Sequence, residues 1–346
     1  MKIIVLQHIA CETPGYIKDL MIKDGFDLTT IELDEGEKIP NDIEQFDGMF
    51  CMGGPMDTWM EKDYPWLVEE KEKIKKFVVE LEKPFLGFCL GCQLLGEVVG
   101  GQVVKSSPPE IGILDIQMEA EKKDDHLFSE FPNSIKALQW HSYEVTGLEQ
   151  NCDVTLLGSS PLTKYQIFKY KNHAYGIQFH IEIKDNTVSD WGCVPEYKNA
   201  LEESLGEGAL NKFETIAADN MKDMNNLATI LYQKFSQFSS SIKALQWHSY
   251  EVVGLEDNSN VTLLGSSPLT KYQIFKYKNH AYGIQFHIEI KDNTVSDWGC
   301  VPEYKTALED SLGEGALNHF DKIAADNMKD MNNLATILYT KFTDII

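Results

Sequence analysis

The stretch PFLGFCLGCQLLGEVVGG, residues 84–101, places a cysteine between a short apolar run and a segment with helical spacing. The apolar run, 84–90, begins at a proline and predicts a buried strand, and the remainder predicts a helix. Cys89 lies between Gly87 and Gly91, in the Gly-x-nucleophile-x-Gly pattern of a nucleophile elbow. We therefore expect a reactive cysteine on a strained turn at the carboxyl end of a strand.

The surrounding sequence alternates apolar runs with amphipathic stretches. Three runs predict further strands, at 2–8, 28–33 and 46–54, and residues 64–83 have helical periodicity with a Glu/Lys-rich outer face. Strands that alternate with helices indicate a parallel α/β sheet.

Composition limits the classes of partner. The 346 residues contain 54 acidic and 31 basic side chains, which gives a formal charge of −23. Such a field repels phosphate backbones and anionic bilayers, so we expect neither a nucleic-acid nor a membrane partner. The sequence contains no Arg, so Lys or backbone N–H groups must hold any anionic ligand.

The seven cysteines show no disulfide framework, since their number is odd and two of them belong to a repeat. The N-terminal residues lack the pattern of a signal peptide, and no apolar run reaches membrane-spanning length. These features predict a cytoplasmic protein with reduced thiols. Cys and His are not clustered at metal-binding spacing, so we expect no metal site.

The second half of the chain is a near-identical repeat. Residues 134–238 and 241–345 align without gaps at an offset of 107, and 92 of the 105 positions are identical. Duplication of half a gene explains this identity, and an error of sequence assembly is the alternative. We predict a first domain over 1–238 and a duplicate over 239–346, joined by the Ser-rich linker 236–242.

Each copy carries a His-x-Glu pair at the end of an apolar strand, His180/Glu182 in the first and His287/Glu289 in the second. A histidine at such a position can act as the base for Cys89, with the carboxylate orienting its imidazole. Each copy also begins with a predicted strand, SIKALQWHSYEV, and contains a hairpin-like segment. The cysteine elbow occurs only once.

Two backbone segments are candidates for an oxyanion hole. The helix that follows Cys89 directs the N–H of Leu90 toward the place where an oxyanion would form. The segment MGGPMD, 52–57, follows a predicted strand and offers a second donor from paired glycines. We expect this donor to be Gly54, with Gly53 as the alternative.

Several motifs resemble those of class I glutamine amidotransferases, which use a Cys-His-Glu triad. The segment GFCLGCQLLGEVVGG is similar to their nucleophile motif, GIQFHIE to their His-x-Glu motif and MGGPMD to their oxyanion strand. YPWL and QWHSYEV resemble further landmarks of a stand-alone subgroup similar to the amidotransferase domain of GMP synthase. The resemblance covers roughly residues 1–235 in consistent order.

The resemblance implies a three-layer, flavodoxin-like fold, with a mostly parallel sheet flanked by helices, to which the duplicated half-domain is added. It also implies a glutaminase half-reaction through a Cys89 thioester, without metal or organic cofactor, on a small amide substrate. Gln93, Trp140, His141 and Ser142 would lie near that substrate. Ile181 replaces the Pro common in the family's His-Pro-Glu, which should change loop stiffness more than chemistry.

The fate of the ammonia is open at the level of sequence. No synthetase domain follows in the chain, so the acceptor could be a partner synthetase, and a homo-oligomer is also compatible. A γ-glutamyl peptide or amide hydrolase is the main alternative, and an interaction protein that has kept the fold is another. Cys89 and Cys92 also form a Cys-x-x-Cys pair, but a redox role explains neither the flanking glycines nor the distant His-x-Glu.

Either copy could complete the site. The second copy could dock as an appendage, replace the first copy or serve another chain by swapping. If it replaced the first copy, a loop of about 107 residues would have to close, which costs roughly 2–4 kcal/mol more. We therefore expect His180, not His287, to be the working base.

Overall fold

The computed structural model describes residues 1–238, 244–256, 258–278 and 281–343. The chain divides into two compact units, 1–240 and 241–346. Most of the predicted linker, and the predicted first residue of the duplicate, lie outside the described residues. No helix in the described part of the chain is long and apolar enough to cross a bilayer.

The first unit contains nine strands and six α-helices over residues 1–238, all of which are described. The strands are β1 (Lys2–Gln7), β2 (Asp27–Glu32), β3 (Gly48–Cys51), β4 (Phe85–Phe88), β5 (Gln102–Met118), β6 (Ser134–Thr146), β7 (Val154–Ser159), β8 (Ile167–Tyr170) and β9 (Ala174–Ile177). The helices are α1 (Gly15–Lys23), α2 (Trp66–Lys75), α3 (Leu90–Val98), α4 (Thr187–Trp191), α5 (Pro195–Leu205) and α6 (Ala209–Phe235).

All nine strands form one sheet in the order β2-β1-β3-β4-β9-β8-β7-β5-β6. The pairings from β2 through β9 are parallel, and those from β9 through β6 are antiparallel. The alternation of strands and helices therefore predicted the parallel part correctly, and the predicted hairpin is β8–β9. The predicted helix 64–83 is shorter, because α2 ends at Lys75 and continues as a π-helical turn, Lys76–Glu80.

Alternate residues of β1 belong to two separate cores. Ile3 and Val5 pack in a core that includes α1 and α6, whereas Ile4 and Leu6 pack in a core that includes α2 and α3. Successive side chains of a strand point to opposite faces, so the sheet is covered by helices on both sides. The fold is the predicted three-layer α/β architecture.

The parallel strands determine where a site can form. β1, β3, β4 and β9 run in the same direction, so their carboxyl ends meet at one edge of the sheet. Ligands of open α/β sheets bind beyond this edge. The segments that follow these four strands begin at His8, Met52, Cys89 and Gln178.

The second unit is smaller. Its described elements are β10 (Val261–Gly265), β11 (Ile274–Tyr277), β12 (Ala281–Ile284), α7 (Thr294–Gly299), α8 (Pro302–Leu312) and α9 (Ala316–Thr343). The strands form an antiparallel sheet, β10-β11-β12, and a small apolar core includes Leu245, Phe286 and Met331.

One predicted strand of the second copy is absent from its described residues. The segment SIKALQWHSYEV forms β6 in the first unit, where it pairs with β5. In the second unit, residues 244–252 form no strand and retain only a bridge between Leu245 and His287. The prediction was wrong for this copy because β5, the partner strand, precedes the repeated segment and has no duplicate.

Candidate active site

The turn between β4 and α3 has the geometry of a nucleophile elbow. Cys89 adopts φ 49° and ψ −102°, a conformation that L-residues rarely adopt. A Cβ at Gly87 would lie 2.3 Å from the carbonyl oxygen of Gly91, and a Cβ at Gly91 would lie 2.1 Å from that of Cys51. The two glycines are therefore required by close packing of the turn against α3 and β3.

Two backbone donors belong to residues that line the same cavity as Cys89. The N–H of Cys89 itself bonds the carbonyl of Ile177 at 2.9 Å, which ties the elbow to β9. The N–H groups of Leu90 and Gly54 donate to no acceptor within residues 1–238, and both residues line one cavity with Cys89. Gly53, the alternative donor, does not line it. Free N–H groups at this position could stabilise an oxyanion.

His180 lies just beyond β9 and is 1% exposed. Its Nδ1 donates to Oε1 of Glu182 at 2.6 Å, and the other oxygen of Glu182 accepts from the N–H of Ile181 at 2.9 Å. The backbone of His180 exchanges two hydrogen bonds with Leu138 of β6, and its side chain lies close enough to Cys89 for the two groups to interact electrostatically. With Nδ1 bonded to the carboxylate, Nε2 is the nitrogen left for the thiol.

The pKa of His180 is raised well above its ordinary value. Burial by itself lowers it, but the negative charge and hydrogen bond of Glu182, together with the interaction with Cys89, outweigh burial. The protonated imidazole is therefore favoured beside Cys89, and a cationic neighbour of this kind activates a cysteine nucleophile.

Trp191 contacts the ring of His180 edge-on, with the ring centroids 4.6 Å apart. The indole N–H is bonded to the carbonyl of Cys11 at 3.3 Å. Trp191 is therefore a packing residue, and it packs against the imidazole. It limits both rotation of the ring and access of water to it.

The cavity beside Cys89 has a volume of about 190 Å³. Seven of the residues named from the sequence line it: Gly54, Cys89, Leu90, Gln93, Trp140, His141 and Ser142. His180 and Glu182 lie behind Cys89 and do not line the cavity. The motifs at 52–57, 87–93 and 139–142 thus meet around a single space of small-molecule size.

Several of these polar side chains are already engaged within the protein. The amide nitrogen of Gln93 donates to the carbonyl of Tyr143 at 3.1 Å, and Nδ1 of His141 donates to the same carbonyl at 3.0 Å. The indole N–H of Trp140 donates to the carbonyl of Tyr197 at 3.1 Å. These bonds favour a role in shaping the cavity wall.

Sequence reasoning missed four polar residues of the cavity: Asp57, Tyr143, Glu196 and Tyr197. Asp57 could have been found, because it ends the predicted oxyanion segment. Glu196 and Tyr197 begin α5, and no local pattern connects that helix with Cys89.

A further buried carboxylate, Glu12, was also missed. It follows β1, at the edge where the site forms, and is 2% exposed. One of its oxygens accepts from the hydroxyl of Tyr197 at 2.5 Å, and the other has no partner within residues 1–238. Burial raises the pKa of Glu12, against the opposing effects of His180 and Tyr197.

His8, Cys51 and Glu70 form a buried group behind the 52–57 segment. Their potential ligand atoms lie within 4.8 Å of one another, and this is the one such group among the described residues. The atoms also bond each other: Nε2 of His8 lies 2.9 Å from Oε1 of Glu70, and the thiol of Cys51 donates to the same oxygen at 3.4 Å. Hydrogen bonding therefore accounts for the group, although its atoms are of types that bind Zn²⁺.

The second copy keeps the local pair without the surrounding site. Nδ1 of His287 lies 2.6 Å from Glu289, and the side chains are 36% and 64% exposed. Residues 241–346 contain no elbow sequence. A His-x-Glu segment therefore forms its hydrogen bond unaided, but its burial depends on the elements that residues 1–133 supply in the first unit.

Comparison with known proteins gives one family. The sequence profile described as "Glutamine amidotransferase class-I" matches residues 16–189, about half of the chain. The glutamine amidotransferase-like protein YfeJ of Salmonella typhimurium is 25% identical over 65% of this chain and 93% of its own length. A subunit of the glutamine-hydrolyzing GMP synthase of Ignicoccus hospitalis is 36% identical over 42% of this chain and 71% of its own length.

Two further comparisons concern a different activity and the fold. Gamma-glutamyl peptidase 5 of Arabidopsis thaliana is 31% identical over 41% of this chain and 55% of its own length. The crystal structure of a glutamine amidotransferase from Thermotoga maritima superposes with a TM-score of 0.60 at 26% identity, covering 68% of this chain and 98% of that one.

Proposed function

The chain belongs to the class I glutamine amidotransferase family, and we propose that it hydrolyses the γ-carboxamide of glutamine, or of a related γ-glutamyl amide, through a thioester on Cys89. One observation carries the proposal. The hydrogen-bonded His180–Glu182 pair lies beside Cys89, whose thiol opens onto a cavity with two free backbone N–H groups.

In the acylation step, the Cys89 thiolate attacks the carboxamide carbon and a C–S bond forms. The oxygen gains negative charge and is stabilised by the N–H groups of Leu90 and Gly54. His180 gives its proton to the leaving nitrogen, the C–N bond breaks and ammonia departs. Glu182 keeps the imidazole in the tautomer that this transfer requires.

In the deacylation step, neutral His180 accepts a proton from water, and the resulting hydroxide attacks the thioester carbon. The C–S bond breaks, glutamate leaves and the thiolate–imidazolium pair is restored. No step draws on a metal or organic cofactor. The ammonia would pass to an acceptor or to a partner synthetase, as expected if this chain works as part of a larger enzyme, like its relative in GMP synthase.

A second candidate is hydrolysis of γ-glutamyl peptides without transfer of ammonia. The similarity to a gamma-glutamyl peptidase favours it, and the same Cys89 chemistry would serve with an amine as leaving group. Substrate preference distinguishes the two candidate functions. Turnover of γ-glutamyl dipeptides well above that of glutamine, without any partner, would favour the peptidase, whereas glutamine turnover that rises with an added synthetase would favour the amidotransferase.

Replacement of Cys89 tests the common chemistry. We expect Cys89→Ala to lower ammonia release from glutamine by about 10³-fold or more, because no thioester can form. Cys92→Ala is the matched control, since Cys92 is a second buried thiol one helical turn away, and it should retain most activity. A glutamine-like diazo-ketone should label Cys89 alone. Wild-type turnover by Cys89→Ala, or labelling at Cys92, would contradict the proposal.

A further inference from the structure

His8 follows β1 and is fully buried behind the 52–57 segment. Its Nδ1 lies 2.9 Å from the carbonyl oxygen of Gly53, and its Nε2 lies 2.9 Å from Glu70 on α2. A carbonyl oxygen can only accept a hydrogen bond, so Nδ1 must carry a proton. The position of this imidazole thus fixes the direction of the Gly53 carbonyl.

The direction of that carbonyl determines the direction of the next N–H. The Gly53–Gly54 peptide bond is trans. In a trans peptide the C=O and the following N–H point to opposite sides. With the Gly53 carbonyl held toward His8, the Gly54 N–H points away from His8. Gly54 lines the cavity that contains Cys89.

We propose that His8 is a positioning residue for the oxyanion hole. It holds the Gly53–Gly54 peptide so that the Gly54 N–H faces the place beside Cys89 where the oxyanion forms. This inference rests on the proposed function. His8 does not line the cavity, and it acts only through the peptide. Without it, the flexible glycine pair could turn its carbonyl, in place of its N–H, toward the oxyanion.

The surroundings of His8 hold it in place. Trp66 stacks on the imidazole with ring centroids 5.5 Å apart. A Cβ at Gly54 would lie 2.9 Å from the Cβ of His8, so the segment is packed directly against this side chain. Burial lowers the pKa of His8, but the charge and hydrogen bond of Glu70 outweigh burial and raise it. The Glu70 carboxylate therefore favours the imidazole with both nitrogens protonated.

Two amide variants separate the two hydrogen bonds of His8. The amide nitrogen of Asn is as many bonds from Cα as Nδ1, and that of Gln is as many bonds away as Nε2. His8→Asn can therefore still donate to the Gly53 carbonyl, whereas His8→Gln can bond only Glu70. Both variants lose the ring and the charge, so a difference between them reports the bond to Gly53.

Two reactions of Cys89 are then compared in each variant. Glutamine hydrolysis develops an oxyanion, whereas alkylation by iodoacetamide displaces iodide and develops none. We expect His8→Gln to lower kcat by about 10²-fold, within the range found on removing an oxyanion donor, with KM and the Cys89 alkylation rate unchanged. His8→Asn should recover at least a tenth of the wild-type kcat.

The outcomes are distinct. If wild-type Cys89 is alkylated but neither glutamine nor a γ-glutamyl amide is hydrolysed, the proposed function fails. If glutamine is hydrolysed and His8→Gln keeps wild-type kcat, or if both variants lose kcat and alkylation alike, the role of His8 fails. ¹⁵N NMR of the histidines in the unaltered protein gives a measurement that needs no folded variant. It should show Nδ1 of His8 protonated throughout the active pH range, and an unprotonated Nδ1 would overturn the inference.

Discussion

Asp57 lines the cavity beside Cys89 and is partly buried. Burial raises its pKa to about 6, and the nearby Lys105 opposes this shift. The pKa is higher in the folded protein than in the unfolded chain, so the ionised carboxylate costs stability, and that cost develops as pH rises from about 4 to about 6. A partly buried carboxylate in the wall of this cavity is suited to bind the ammonium group of an amino-acid substrate.

We expect the KM for glutamine to rise as pH falls through about 6, because protonated Asp57 no longer attracts the substrate ammonium. Asp57→Asn should have a high KM that does not change between pH 5 and 7. Asp63→Asn, at an exposed position six residues further along the chain, should behave as wild type. Steady-state kinetics across this range checks the prediction, and an unchanged profile in Asp57→Asn would contradict it.

The predicted catalytic and oxyanion residues share one property, which is that each belongs to a short motif that follows a strand of the sheet. Cys89 and His180 are far apart in the chain, but β4 and β9 are parallel neighbours, so their carboxyl ends bring the two together. Glu12, Glu196 and Tyr197 stand in no such motif. They reach the site through tertiary packing, which a single sequence does not specify.

β6 and its copy show how strongly a strand depends on its partner. Residues 134–145 and 241–252 have identical sequences. In the first unit the segment pairs with β5 along most of its length. In the second, the described residues 244–252 form no strand, and Tyr250 is 89% exposed. Strand propensity alone therefore leaves the segment unpaired, and the missing partner decides the outcome.

Hydrogen exchange should separate the two copies. We expect the amides of 137–145 that bond to β5 to exchange at least 100-fold more slowly than their counterparts in 244–252, because only the first set has ladder bonds. Peptides that extend through Thr146 or Val253 differ in mass, so mass spectrometry can distinguish them. A chain ending at residue 238 should show only the slow population, and equal exchange of both peptides in the full chain would contradict the prediction.

The same comparison explains which elements were predictable. The β8–β9 hairpin and its copy β11–β12 form in both units because their partners are adjacent in sequence. β6 formed only where a distant partner was available. Local pairing can be predicted from a repeated sequence, whereas pairing across a domain requires knowledge of which other strands are present.

At the scale of the whole molecule, the chain holds one elbow and two His-x-Glu pairs. In the first unit, residues 1–133 supply β1 to β5 and α1 to α3, and His180 is almost fully buried against them. In the second unit His287 keeps its bond to Glu289 but is partly exposed. We propose that residues 1–238 form the complete catalytic domain and that His180 is its base.

Two histidine variants of the full chain test that proposal against the alternative in which copy two takes the place of copy one. If copy two replaced copy one in the site, a loop of about 107 residues would have to close, at a cost of roughly 2–4 kcal/mol. At equilibrium this cost limits the molecules in which copy two fills the site to about 0.1–3% of the total. His180→Ala should therefore retain no more than about 3% of wild-type glutaminase activity, whereas His287→Ala, its matched control, should retain all of it.

Deleting residues 134–240 removes the competing copy and joins the first half directly to a segment that is identical at 92 of 105 positions. In that shortened chain His287→Ala should abolish activity. Full activity of His180→Ala in the intact chain would contradict the proposal, because it would show that copy two completes the site in place of copy one.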